Sequence, residues 1–217
     1  MSTIADALTT VALRCAVPLP NSWVASNTRI HVEIKSILAV TIDELLERLD
    51  WPEPIRTDYA ITGTGVAAYD LPDDFKRLAM ERGAVYETDT LKRCTAVGKQ
   101  AIWTQLTNAA QAGAVRYYRV TGDEEDGYQI EFYPALTTSD SVSVAYISKN
   151  WLTNDEGTKT DVWDSETNTL LLPRRAVELG CIWRYRQQKG LPWEDSIAEY
   201  EAYLSNKIVG NLSGRKP

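Results

Sequence analysis

Between residues 26 and 50 the chain reads SNTRIHVEIKSILAVTIDELLERLD, and its apolar positions Ile30, Ile34, Ile37, Leu38, Leu45 and Leu49 recur at spacings of three, four or seven. That period predicts a long amphipathic helix, with Ser26 or Asn27 as its cap. A shorter helical pattern over residues 3 to 15 runs through Ile4, Leu8, Val11 and Leu13 and is closed by the breaker PLP at 18 to 20. The chain therefore opens as a helical hairpin.

After Trp51 the period changes from helix to strand. WPEPIRTDYAITGTGVAAYDLP carries three prolines and two glycines, and short alternating runs on either side of Gly63 to Gly65 predict a strand pair. LPDDFKRL reads as a strand end followed by a short helix, with Pro72 in its first turn and Asp73 and Asp74 at its positive end. AVYET and LKRCTAV read as strands, while GKQAIWTQLTNAAQAG fits helix and loop equally. Val115 to Val120, Tyr128 to Phe132 and Val142 to Ile147 are rich in β-branched and aromatic residues, and the acidic turn GDEEDG joins the first two, so an antiparallel meander is expected.

A polar loop from Asn150 to Asn168 leads into LLLPRRAVELGCIWRYRQQKG, a helix that Gly190 stops. Pro192 then helps open a last helix through Trp193, Ile197, Tyr200, Tyr203, Leu204 and Ile208. The order of helices, strands and helices predicts an α+β protein. Residues 1–51 and 165–212 would form a discontinuous helical bundle, 52–150 an inserted and mostly antiparallel β-rich lobe, 151–164 a polar loop, and 213–217 a flexible basic tail.

Composition narrows the function. The 217 residues are 44% hydrophobic and 24% charged, ordinary for a globular chain with a real core. No run of about 18 apolar residues exists, and MSTIADALTTVALRC lacks the basic start and cleavage site of a signal peptide. Neither membrane association nor secretion is expected. The net charge of -7 argues against tight binding of nucleic acid, which needs basic groups to displace counterions, yet it suits a wall past which a strand can slide. Three widely spaced cysteines, Cys15, Cys94 and Cys181, fit a reducing compartment better than a disulfide framework. With His31 the only histidine and no C-x-x-C, no zinc site, cofactor or cysteine nucleophile is expected.

The motifs that imitate chemistry have plainer readings. GTGVAA at 63 to 68 has the spacing of a dinucleotide loop, but Tyr69 to Leu71 look extended and Pro72 follows, so it reads as a strand turn. The contiguous run DEED at 123 to 126 lacks the alternation of a calcium loop and reads as a solvated hairpin tip. Asp161, Asp164 and Glu166 carry the minimum equipment for carboxylate-dependent hydrolysis without specifying it. What remains is a surplus of seven tryptophans and eleven tyrosines, side chains suited to contact between chains as well as to cores. Trp183, Arg184, Arg186 and Trp193 cluster around the helix stop, and together with Arg215 and Lys216 of the tail they are the candidate interface residues.

DYAITGTGVAAYDLPDDFKRL, then YRVTGDEEDGYQIEFYPAL with VSVAYISKNW, then LLLPRRAVELGCIWRYRQQKGLPWEDSIAEYEAYL, in that order, resemble the head-to-tail adaptor (connector) proteins of tailed bacteriophages. The likeness is to the tail tubular protein A and portal-adjoining adaptor type of short-tailed phages, and it spans about residues 30 to 205. It implies a structural virion protein without enzymatic activity. Copies would form a homo-oligomeric ring, twelve-fold, between the portal protein and a downstream tail or nozzle protein at the head-tail junction. DNA would pass through the lumen without sequence-specific binding. The alternatives are another neck or tail-completion protein, or a virion hydrolase using the carboxylates above.

Overall fold

A computed structural model describes residues 2–52, 55–80, 83–108 and 115–213, with side chains to 207. Among them are five helices and three sheets, mostly antiparallel, and the class is α+β. The chain divides into two compact units, one formed by residues 1–51 with 149–217 and the other by residues 52–148.

In the first unit, α1 (Ile4–Arg14) begins with a reciprocal cap: the Asp6 amide donates to the Thr3 hydroxyl at 3.1 Å while the Asp6 carboxylate accepts from the Thr3 amide. Helix α2 (Arg29–Arg48) starts later than either predicted cap and has no side-chain cap bond. The hydroxyls of Ser26 and Thr28 are instead directed at Nδ1 of His31, each at 2.7 Å, while His31 Nε2 lies 2.8 Å from the Pro18 carbonyl. The imidazole, buried edge-on against Trp23, thus pins the connection before α2.

The last two helices are α4 (Arg174–Gln188) and α5 (Glu194–Ser213). Every residue from Ala176 to Ile182 is buried, because α4 packs against α1, α2 and α5. Its run from Ala176 to Ile182 thus lies among three other helices at the centre of the unit. Its buried Glu178 is neutralised by Arg174, at 2.6 Å, and Arg174 also donates to the Thr10 hydroxyl at 2.7 Å, tying α4 to α1. Gly190, at φ +64°, reverses the chain after α4, and the Leu191 amide closes the turn on the Arg186 carbonyl at 2.9 Å.

The expected polar loop supplies β9 (Leu152–Thr153) and β10 (Lys159–Thr160) to a small sheet that β11 (Thr169–Leu170), just beyond it, completes. Its hairpin is made by Asn154, whose side-chain oxygen accepts from the amides of Glu156 and Thr158, and by Gly157 at φ +79°. Helix α5 runs to Ser213, so it takes the first residue of the predicted tail, and 214–217 lie outside the described residues.

The second unit holds two four-stranded sheets. In one, β8 (Ser141–Ser148) pairs antiparallel with β1 (Arg56–Thr62) on one side and with β3 (Phe75–Leu78) and β4 (Val85–Glu87) on the other. In the other, β2 (Ala68–Asp70), β7 (Gly127–Tyr133), β6 (Tyr117–Asp123) and β5 (Thr95–Ala96) lie in that order, with β5 parallel to β6. Ile61, Phe75, Val85, Val142, Val144 and Tyr146 from the first sheet share one core with Tyr118, Ile130 and Phe132 from the second.

Three expectations change here. β8 does not extend a meander with β6 and β7: buried along seven of its eight residues, it is the central strand of the other sheet. β1 and β2 do not pair with each other but with β8 and β7 respectively. FKRL is strand β3 rather than helix, since the Asp74 carboxylate is held by the Tyr146 hydroxyl at 2.8 Å and the Ser148 hydroxyl at 2.6 Å, which lays the chain along β8. The ambiguous segment forms α3 (Gln100–Asn108), anchored by buried Trp103 beneath the Arg119 guanidinium. Its remainder, 109–113, lies outside the described residues.

Candidate interaction surface

The residues singled out around the helix stop do come together, largely on each other. Gly180 sets the geometry. A Cβ at that position would lie 2.4 Å from Thr41 Cγ2 on α2 and 3.2 Å from the Tyr200 ring on α5, so only glycine lets three helices meet there. Four residues on, Arg184 reaches back into the crossing. It donates to the Gly180 carbonyl at 3.0 Å, pairs with Glu44 of α2, and stacks over the Trp183 ring at 4.3 Å and less closely over Tyr200. Its side chain is only 12% exposed. The group serves the fold, and a partner could touch little of it.

Arg186 donates to the buried Ser196 hydroxyl at 2.9 Å and holds α5 against α4. Trp183 and Trp193 are half-buried, with ring centroids 6.3 Å apart, and Trp183 stands at the same distance from Tyr200. Trp183 Nε1 is buried and has no acceptor among the described residues. Such an unmet donor costs about 1–3 kcal/mol. Arg215 and Lys216 lie outside the described residues.

Charge pairs close the outer rim. Arg48 of α2 forms a two-pronged pair with Glu201 of α5, whose carboxyl is lowered first by that hydrogen bond. Lys189 pairs with Glu33 and Arg175 with Glu199. Burial lowers the Arg184 guanidinium and raises the Tyr200 phenol from their ordinary values, because it disfavours the charged form of each.

The acidic residues weighed for hydrolysis have separate structural partners. Glu166 Oε1 accepts from the Ser22 hydroxyl at 2.7 Å and the Val24 amide at 2.8 Å. Asp164 accepts from the Asn168 side chain at 3.0 Å, and Asp161 lies 4.0 Å from Lys149. Among the described residues no three His, Cys, Asp or Glu side chains are placed to hold a metal ion, and no helix is long and apolar enough to cross a membrane. The segment after Gly65 enters strand β2 rather than a helix, so the phosphate cradle that GTGVAA would need is missing there.

Sequence reasoning did not find two well-organised sites. Arg116, 13% exposed, donates to Glu87 at 2.9 Å, to Asp140 at 3.0 Å and to the carbonyls of Pro134 and Ala135. Beyond Glu87 the chain turns through Leu91, a non-glycine residue at φ +54° with 74% of its surface exposed. Neither signal lies in a local pattern, because Arg116 gathers groups from three separate stretches. Against known proteins, no family model matches the chain, and no curated protein matches it.

Proposed function

We propose that the chain is a structural virion protein, a head-to-tail adaptor that forms a homo-oligomeric ring between the portal and the tail and extends the DNA channel, with no reaction of its own. The observation that carries this reading is the architecture that the adaptor resemblance implies: a helical unit assembled from both ends of the chain, and an antiparallel β unit inserted between them. The buried stretch of α4 from Ala176 to Ile182 gives the helical unit a packed centre, and rigid elements position contact surfaces. The half-buried Trp183 and Trp193 leave part of their ring surface as apolar area for a partner. The acidic balance suits a lumen that DNA traverses without adhering.

The hydrolase alternative gains no support, because Asp161, Asp164 and Glu166 are tied to different partners. Light scattering on a mixture of this protein with the portal protein encoded by the same genome is expected to show one complex, whose mass corresponds to a closed ring of this chain on the portal. Two unassociated species would contradict the proposal.

A further inference from the structure

We propose that copies of this chain associate head to tail through their β units, the basic finger of one copy, Leu91–Lys92–Arg93, docking on the acidic turn of the next, Asp123 to Asp126. This deepens the ring assembly proposed above and rests on it. The finger is the connection between β4 and the isolated bridge that joins Tyr86 to Arg93. Its base is fixed: Glu87 is held by Arg116 and by the Thr90 hydroxyl at 2.7 Å, and the Glu87 amide donates to the Lys92 carbonyl at 2.8 Å.

At its tip stands leucine where a glycine or asparagine would be relaxed, since a side chain in the left-handed region meets its own backbone. It is also the most exposed large apolar residue among those described. The side chains of Lys92 and Arg93 are exposed and have no ion-pair partner among the described residues. Leu91 is followed by the cations Lys92 and Arg93 and preceded by the exposed Asp89, so the finger keeps a net positive charge at its apolar tip, and on a fixed base that is complementary to an acidic surface.

This chain carries such a surface. Asp123, Glu124, Glu125 and Asp126 are all exposed in the β6–β7 turn, and Asp123 fixes the turn by accepting from the amides of Glu125 and Asp126 at 2.9 Å. Only Glu124 has an ion-pair partner among the described residues, Lys76 at 3.8 Å.

The two features stand at opposite ends of the same unit. The finger leaves the sheet where the Thr88 amide donates to the Ser141 carbonyl, at the start of β8. The acidic turn lies beside Lys76, whose neighbour Phe75 is paired with Ser148 at the end of β8. The eight residues of β8 separate them by about 23 Å. β6 gives the same result, with Arg116 and its Glu87 contact at one end and Asp123 at the other. One chain cannot bring finger and turn together, but two copies can. Unlike patches on opposite ends generate a ring when the rotation closes.

Sedimentation velocity over a concentration series at low and high salt tests this with four variants. Lys92→Glu with Arg93→Glu, and separately Glu125→Lys with Asp126→Lys, are each expected to weaken self-association about tenfold. The chain carrying all four reversals should regain it, because finger and turn are complementary again. Leu91→Gly should weaken association while leaving the fold as stable or more stable, since it relieves the backbone, and a purely structural finger would not separate those readouts. A wild-type chain that is monomeric at millimolar concentration and low salt overturns the inference, whatever the portal mixture shows. Wild-type association that none of the reversals alters overturns the finger contact and leaves ring assembly standing.

Discussion

Gly180→Ala is expected to lower the melting temperature by on the order of 5 °C, although alanine is the better helix former. The added Cβ would meet Thr41 Cγ2 at 2.4 Å. Thr41 cannot simply rotate away. Its hydroxyl donates to the Ile37 carbonyl at 2.8 Å inside α2, and it lies within 3.7 Å of Cys181 Sγ and 3.4 Å of Arg184 Nη1. Overpacking costs about 1–3 kcal/mol and each broken hydrogen bond about 1 kcal/mol, against roughly 1 kcal/mol gained from propensity. The net is about 2 kcal/mol, and at this chain length that moves the midpoint by several degrees.

Thr41→Ser removes the offending methyl and keeps the hydroxyl, so the Gly180→Ala, Thr41→Ser double variant should recover most of the loss. Calorimetry of the four proteins completes the cycle. A Gly180→Ala protein as stable as the wild type would show that the helices can part at this crossing without cost.

The second large effect belongs to the β unit. Arg116→Met would strand the carboxylates of Glu87 and Asp140, 22% and 28% exposed, and two carbonyls that now share one guanidinium. Removing one partner of a largely buried pair costs about 3 kcal/mol, and lysine should rescue little, because it lacks the planar fork.

The pH dependence supplies a second readout. The Glu87 carboxyl is lowered first by the Thr90 hydroxyl and then by Arg116, and the Asp140 carboxyl first by the Thr137 amide and then by Arg116. A carboxyl that is more acidic when folded contributes stability above its unfolded pKa, about 4, and loses it as pH falls through the folded value. Urea midpoints of the wild type should therefore drop steeply below that pH. Arg116→Met should be less stable at neutrality and show a shallower drop, though not a flat one, because Thr90 and the Thr137 amide remain. Equal slopes for the two proteins would remove Arg116 from this role.

Among the described helices α1, α2, α4 and α5 were legible because each carries its own signal, whereas the α3 segment fitted helix and loop equally. The stripe from Ile30 to Leu49 and the stop at Gly190 predict α2 and the end of α4 within a few residues. The strands were legible as strands but not in their pairing. VSVAYI has the same β-rich composition whether it continues a hairpin or crosses to another sheet, and only its burial on both faces tells the two apart. FKRL was misread because two aspartates after a proline look like a helix start, whereas Asp74 is held by Tyr146 and Ser148, more than seventy residues away.

The same limit applies to the surface residues. Arg184 and Arg186 resemble contact arginines in sequence, and the structure gives each an intramolecular partner, Glu44 and Ser196. Arg116 and Leu91 drew no attention, since one acts through distant partners and the other through a backbone angle.

The central claim is that this chain works as a built-in part of a virion, and imaging the particle tests it most directly. Cryo-electron microscopy of purified particles encoded by the same genome should show a ring of density between portal and tail into which the helical and β units both fit. A vertex whose density is fully accounted for by other proteins would contradict it.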